Sequence, residues 1–522
     1  YYLANKLENV YFALLGDCSE EKSQSMNFDD EVVSEGEKIV EQLNAKYKKN
    51  DFPRFHFLYR NRVWNQNENS YIGWERKRGL LVTFNEYILK NIDDNFRVNT
   101  IEKNKEKMPK IKYIITLDSD TNLIMNSVSK LVGAMDHILN QPIIKKQKVV
   151  KGYGIMQPRI GLDLEIAQKT YFVELFSMQG GIDLYSNAIS DIYQDYFKEG
   201  IFTGKGIYNL KVYDDILKNE IPENTVLSHD LLEGNYLRCG LLTDVTLLDG
   251  YPLKYVPYIK RNHRWVRGDW QIFKWLFSDK LNEISKFKIY DNLRRSLVNV
   301  IAFLGIILGT ICLNSFGKSL IWISVISLIV SYCLDILNII IFKESYIEGE
   351  IYADKKYSKD IGNVKKSIIR LILQISFLPY EAIENLDAII RSLYRMKKKS
   401  KLLEWVTAED GEKQSKNDLK SIYKEMFVNV IFGVLFLFNK YTCIFAILWL
   451  IGPAIAWYIS LNRESKRKIS YENEEYLKDI AKRTWGFFET YITPENHYLM
   501  IDNYQEDREK AIVNRTSSTN IG

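Results

Sequence analysis

The sequence is poor in the residues that staple or ligate. Its five cysteines, at 18, 239, 312, 333 and 443, are odd in number, form no CxxC pair, and three lie in hydrophobic runs. That pattern argues against a disulfide framework, gives thiolate metal binding nothing to rest on, and fits a reducing compartment. The five histidines (56, 137, 229, 263 and 497) share no ligand spacing, so no zinc site is expected. Thr203-Gly204-Lys205-Gly206 is no phosphate loop, because a P-loop needs Ser or Thr after GxxxxGK and Gly206 stands there. No GxSxG elbow occurs. The net charge of +5 over 522 residues gives no dense basic face, so no nucleic-acid partner is expected. No secretory leader pattern opens the chain, whose start, Tyr1-Tyr2-Leu3-Ala4-Asn5, reads like the interior of a domain.

What is present is a folded composition, 46% hydrophobic and 26% charged, with length for two or three domains. Residues 1–292 alternate short apolar runs with longer helix-like stretches. Strands are expected at 10–15, 55–59, 113–117 and 149–156, and helices at 31–48, 76–89 and 126–139. Strands alternating with helices imply an open α/β sheet, whose ligand site lies beyond the carboxyl ends of its strands.

The composition then changes. Residues 297–317 carry no charge, 319–342 carry only Asp335, and 441–462 again carry none. Each is long enough to cross a bilayer core, which takes about 20 apolar residues. The run 426–438 is shorter and fits either a span or a buried helix. Between these pairs, Ile368, Leu371, Ile372, Ile375, Ile383, Leu386, Ile389, Ile390 and Leu393 recur at helical spacing, with Pro379 expected to kink the stretch. An amphipathic helix near 365–394, lying in the interface, is the reading adopted; a surface helix is the alternative. Arg395, Lys397, Lys398, Lys399 and Lys401, and Arg463, Lys466, Arg467 and Lys468, place their segments in the cytosol by the positive-inside rule.

Three places could carry chemistry. Asp118-Ser119-Asp120 follows the apolar run 112–117. Two carboxylates at a strand end can hold a divalent metal together with phosphate oxygens, although an isolated Asp-x-Asp is often a turn. Asp230, in Leu227-Ser228-His229-Asp230, could take a proton from an attacking hydroxyl; spacing alone favours a helix cap. Arg261 to Trp270 packs three arginines and two tryptophans into ten residues. That suits phosphate and sugar recognition, or an interfacial belt before the first span.

Taken in order, these residues resemble the GT-A glycosyltransferases that polymerise sugars at membranes, whose pattern is DxD, an acidic base motif, Q(Q/R)xRW and then membrane helices. Asp118 and Asp120 match the first motif, Asp230 the second, and Arg264-Trp265 the end of the third. Arg261 and Asn262 stand where glutamine-type residues are expected, and His229 replaces the usual Glu. Those departures, with the blocks at 12–17, 73–79, 203–208, 227–231, 263–271 and 403–408, are similar to the cyclic β-1,2-glucan synthases of glycosyltransferase family 84.

The resemblance implies a cytosolic GT-A domain over 1–292, its first strand upstream of residue 1. It implies a transmembrane region over 293–465 with about four spans, and over 466–522 a linker and the start of a glycoamylase-like domain. It implies a multi-pass protein of the bacterial plasma membrane, with UDP-glucose as donor, a growing glucan as acceptor, Mg²⁺ or Mn²⁺ at Asp118 and Asp120, and Asp230 as base. Arg264, Trp265, Asp17 and Lys77 are implied at the donor, and Lys205, Arg267 and His229 in assistance. Tyr71 is the candidate for a residue on which the glucan is built, with a packing tyrosine as the alternative. Further domains of the same polypeptide are implied outside this chain. The rivals are a cellulose- or hyaluronan-type synthase and a non-enzymatic membrane subunit.

Overall fold

The computed structural model describes residues 1–522 without 50, 93–94, 178–191, 219, 313, 342–352, 405–410, 413–415, 464–469, 509–510, 514 and 518–522. The expected block at 405–408, the basic residues at 466–468 and most of 514–522 lie outside the described residues. The chain forms two compact units, Tyr1–Arg463 and Glu464–Gly522. The second holds the helix Tyr471–Tyr491 and a hairpin of Asn503–Tyr504 with Ile512–Val513.

Among the described residues of the first unit the strands are β1 (Phe12–Gly16), β2 (Phe55–Arg60), β3 (Val63–Asn65), β4 (Ser70–Ile72), β5 (Phe96–Asn99), β6 (Tyr113–Thr116), β7 (Asn122–Leu123), β8 (Ile143–Lys145), β9 (Lys148–Lys151), β10 (Ile155–Leu162), β11 (Gly206–Asn209) and β12 (Cys239–Asp249). β1 and β2 pair in parallel, with β5 antiparallel on the far side of β2. Every residue of β2 is buried, which is why its sequence reads as a continuous run rather than an alternation. The second sheet has the order β6-β11-β10-β12-β7. In it β6, β10 and β12 run one way, and β11 and β7 run back. The fold is mixed α/β around an open sheet, as expected.

Two expectations need correction. The strand expected at 149–156 is two strands broken at Gly152, whose φ of +66° turns the chain. A Cβ there would lie 2.0 Å from the Gln141 carbonyl oxygen, so only glycine fits. β9 consequently pairs with β8, while β10 joins the main sheet. β12, the longest strand, was not foreseen. Its register against β10 jumps from Leu242 to Thr246, and the bulged residues interrupt the apolar run.

Of the four spans expected, one helix among the described residues, Glu283–Cys312, is long and apolar enough to cross a membrane. The apolar stretches Ser315–Val330 (inside the helix Ser315–Ile341), Phe427–Phe436 and Cys443–Ile459 have 10–17 residues each. The 426–438 run is cut short because Met426 leaves helical geometry (φ −92°, ψ 29°) between Leu419–Glu425 and Phe427–Phe436.

The amphipathic stretch lies within one helix, Ala353–Lys398, with Pro379 inside it. Proline opens the backbone bonds of the preceding turn, and a side chain closes the gap. Asn429 Oδ1 accepts from the Tyr380 N–H (3.0 Å), while its Nδ2 donates to the Ser376 carbonyl (2.7 Å). Asn429, Ser376 and Tyr380 are all buried. Asn429→Ala is therefore expected to lower stability by about 2–4 kcal/mol, since it strands a buried donor and acceptor. Thermal unfolding checks this, and an unchanged midpoint would refute the bridging role. The same helix packs on Tyr255–Gln271, where the Tyr255 and Phe377 rings lie 4.2 Å apart, joining the sheet to the apolar helices.

Candidate active site

The carboxyl ends of β6, β10 and β12 open on one edge of the sheet. Asp118 and Asp120 lie in the loop after β6, Lys205 immediately before the antiparallel β11, and Asp249 at the end of β12. Lys205 Nζ pairs with Asp249 and reaches Asp118 Oδ2 at 3.3 Å. Thr121 Oγ1 donates to Asp249 Oδ1. Lys77 Nζ pairs with Asp118 and donates to the Gly204 carbonyl at 3.0 Å. Gly204 (φ +90°) in turn sits against Asp230, since a Cβ on it would lie 2.8 Å from Asp230 Oδ1. The three sequence candidates Lys77, Asp118 and Lys205 thus form one linked group with Asp230 at its side.

Local strain aims Lys77. Glu75 and Arg76 both hold left-handed φ values (52° and 53°), which ordinary residues rarely adopt. Glu75 is anchored by Arg78 and by the Asn224 N–H (2.5 Å), and a Cβ on Gly79 would meet the Trp74 carbonyl oxygen at 1.8 Å. The buried Arg60 guanidinium donates to the Trp74 and Arg76 carbonyls (2.6 Å each) and grips Asp17 through a two-point fork of 2.7 and 2.9 Å. Asp17 is thereby fixed at the carboxyl end of β1 with its carboxylate partly exposed.

Charges in this group are set by burial and by each other. Burial works to raise the Asp118 carboxyl, but Lys77 and Lys205 outweigh it and hold the group below the usual range. Asp120 is pushed up by burial and by the Asp249 charge. Asp230 is pushed up by burial, with His229 and Lys77 opposing, although 28% of its side chain still opens to the cleft. It is the first residue of the helix Asp230–Leu237; His229 holds the cap position, so the capping alternative for Asp230 is not what forms. His229 Nδ1 lies 2.8 Å from Glu233 Oε1, which also accepts the Tyr213 hydroxyl. Burial lowers the His229 pKa, but Glu233 and Asp230 turn the balance and raise it.

The helix Tyr255–Gln271 closes the site. Gln271 Oε1 accepts the Leu227 N–H (2.7 Å), and Gly268 lets Ser228 approach to 2.7 Å of where a Cβ would be. A cavity of about 740 Å³ lies along this helix, lined among others by Asp120, Tyr251, Arg261, Arg264 and Glu404. Burial, with Arg261 and Arg267 nearby, depresses the Arg264 pKa to about 10. Trp265 is half exposed. Arg267 also borders the cavity, but Nη2 donates to the Glu404 carbonyl (3.1 Å). Tyr71 sits on the β3–β4 hairpin, its ring 5.1 Å from Trp64, and shares no hydrogen bond or ring contact with the Asp118–Asp230 group.

No family model matches the chain. Against curated proteins it is 35% identical over 542 aligned positions to "Cyclic beta-(1,2)-glucan synthase NdvB" of Rhizobium meliloti (strain 1021). The chain is homologous to part of a cyclic β-glucan synthase. The alignment covers 100% of this chain and 19% of that relative, so the chain spans about a fifth of the relative's length. The resemblance to cyclic glucan synthases read from the sequence blocks is thereby shown.

The donor set after β6 fits a hard divalent cation: carboxylates only, no thiolate or imidazole, on a loop open to the cavity through Asp120. A different trio, His229, Asp230 and Glu233, has ligand atoms within 4.8 Å of one another. Glu233 there already faces His229 and takes the Tyr213 hydroxyl, so its carboxylate is engaged within the protein. Sequence reading missed Asp249, Glu233 and Arg60. Asp249 carried a usable signal, since it follows Leu247-Leu248 as Asp118 follows its own apolar run. Glu233 carried one too, since it stands four residues after His229 on the same helical turn; Arg60 carried none, because only tertiary packing brings it to Asp17.

Proposed function

We propose that this chain is the polymerising glycosyltransferase of a cyclic β-1,2-glucan synthase of family 84, with a GT-A catalytic domain, transferring glucose from UDP-glucose to the 2-hydroxyl of a growing glucan. The observation that carries it is the convergence of Asp118, Asp120, Lys77, Lys205 and Asp230 at one sheet edge, beside the helix bearing Arg264 and Trp265, in a chain homologous over its whole length to a named glucan synthase. Asp118 and Asp120 would hold Mg²⁺ or Mn²⁺, which supplies charge neutralisation for the departing diphosphate. Asp230 accepts the proton of the acceptor hydroxyl as its oxygen bonds to the anomeric carbon. The bond to UDP breaks on the opposite face, inverting the centre to β. Lys77 and Lys205 keep Asp118 ionised; Arg264, Trp265 and Asp17 bind the donor.

The apolar helices are read as a multi-pass region of the bacterial plasma membrane, with 1–292, 343–420 and 463–522 cytosolic. Supporting this, Ile301, Ile311, Trp322, Ile323, Phe438 and Ile444 are exposed apolar side chains on these helices and the turn after Phe427–Phe436, where water would be a poor solvent. On the Ala353–Lys398 helix, Ile368, Ile372, Ile390 and Leu393 are exposed near Arg395, Lys397 and Lys398, which suits the lipid interface. The remaining four-fifths of the relative's length leaves room for cyclising and length-setting domains outside this chain.

The test is UDP release by the purified chain from a panel of sugar nucleotides, followed by digestion of the product with a β-1,2-glucanase and, separately, a cellulase. UDP-glucose is expected to be preferred and only the β-1,2 enzyme to release oligomers. Release by cellulase alone would overturn the linkage; no nucleotide release from any donor would overturn the enzyme.

A further inference from the structure

We infer that Arg261, at the position where the related membrane synthases carry glutamine, is a second arginine for the donor's diphosphate, reading its outer phosphate beside Arg264. The inference rests on the transferase reading above. Its basis is the way this side chain is held. The Arg261 guanidinium lies over three aromatic rings, with its central carbon 4.6 Å from the Trp265 centroid, 4.9 Å from Tyr251 and 5.7 Å from Tyr258. Rings grip a guanidinium through its flat faces and the ring quadrupole. They use none of its N–H bonds, whose donors all point out along the edge of the plane.

Those edge donors are left over. Arg261 Nε and Nη2 are both shut off from water and have no hydrogen-bond partner among the described residues. Several arginines here leave Nε alone unpartnered, but Arg261 is the one among the described residues with two such nitrogens, so an acceptor is missing. The side chain borders the cavity shared with Asp120, and the charges of Asp120 and Asp249 act on it. An occupant there must bring oxygen acceptors in a plane that matches the fork, and negative charge suits it, because Arg261 has no ion-pair partner among the described residues while Asp387 and Glu404 on the same lining are already paired with Arg391 and Arg395. A diphosphate meets each condition; a neutral sugar meets only the first.

A structural role is the competing account, since an arginine boxed by aromatic rings also packs. The two separate on nucleotide discrimination. With the full chain and Mn²⁺, UDP and UMP are titrated against wild type, Arg261→Gln and Arg261→Lys. Loss of one or two charge-assisted hydrogen bonds to the outer phosphate weakens UDP about 10- to 100-fold and leaves UMP within about twofold. Arg261→Lys keeps a point charge without the fork and falls between the two. A UDP-to-UMP affinity ratio unchanged in a folded Arg261→Gln protein would overturn the inference, as would equal weakening of both nucleotides. If Arg261→Gln does not fold, the Lys variant decides by the same ratio. Wild-type protein that binds neither nucleotide would instead overturn the transferase reading itself.

Discussion

Asparagine at 118 or 120 is expected to cut UDP release by about 10³-fold or more, because a neutral amide keeps the shape but not the charge that would hold a divalent ion against the diphosphate. The two variants should differ in stability, and the difference comes from their neighbours. Asp118 is the counter-charge of Lys77 and Lys205, so Asp118→Asn leaves two ammonium groups facing each other and should unfold at a lower temperature. Asp120 is crowded by Asp249 and Asp118, and Asp120→Asn removes a repulsion; it should unfold no lower than wild type. Activity and stability are thereby uncoupled within one motif. Turnover and thermal unfolding are measured on the same preparations, with Mn²⁺ varied. Near-normal turnover in both variants would remove the metal assignment, and loss of activity that tracked unfolding in both would reduce the motif to a structural turn.

Which of these features could be read from the sequence depends on the range of the interaction that creates them. Asp118 and Asp120 were visible because one strand's apolar run and its loop are contiguous. Arg264 and Trp265 were visible because a single helix carries the whole block. Asp230 was ambiguous, since the carboxylate that takes a proton and the carboxylate that caps a helix have the same local signature. The structure removes the cap reading by putting His229 at the cap position, and it seats the Asp230 carboxylate against Gly204. Lys205 stands in a failed phosphate loop, and its partner Asp249 lies 44 residues further on, at the end of a strand separated from β11 by β10. The β9–β10 break turned on a single glycine with positive φ, which an apolar run conceals. The bridging of Pro379 by Asn429 needed two helices 50 residues apart and could not be read from either.

Asp230→Asn should reduce kcat about 10³-fold, the middle of the range for losing a general base, with the donor KM little changed. The reason for the split is position. Asp230 is seated on Gly204 and beside His229, and in the proposed reaction it meets the acceptor hydroxyl rather than the nucleotide. Its titration gives an independent signature. Burial raises the Asp230 pKa, Glu233 and Asp118 add to the rise, and His229 and Lys77 oppose it without cancelling it. A base works deprotonated, so activity should be present above that raised pKa and lost as the pH falls through it. The acid limb of kcat/KM should therefore lie above the ordinary aspartate value of about 3.9. In Asp230→Asn the residual rate should lose this limb, because the group that made it is gone. Gly204→Ala offers a gentler control: its methyl would meet Asp230 Oδ1 at 2.8 Å, displacing the carboxylate without neutralising it, so kcat should fall while an acid limb survives. A limb that persists unchanged in Asp230→Asn would belong to another group, with His229 the first suspect, and would move the catalytic base away from Asp230.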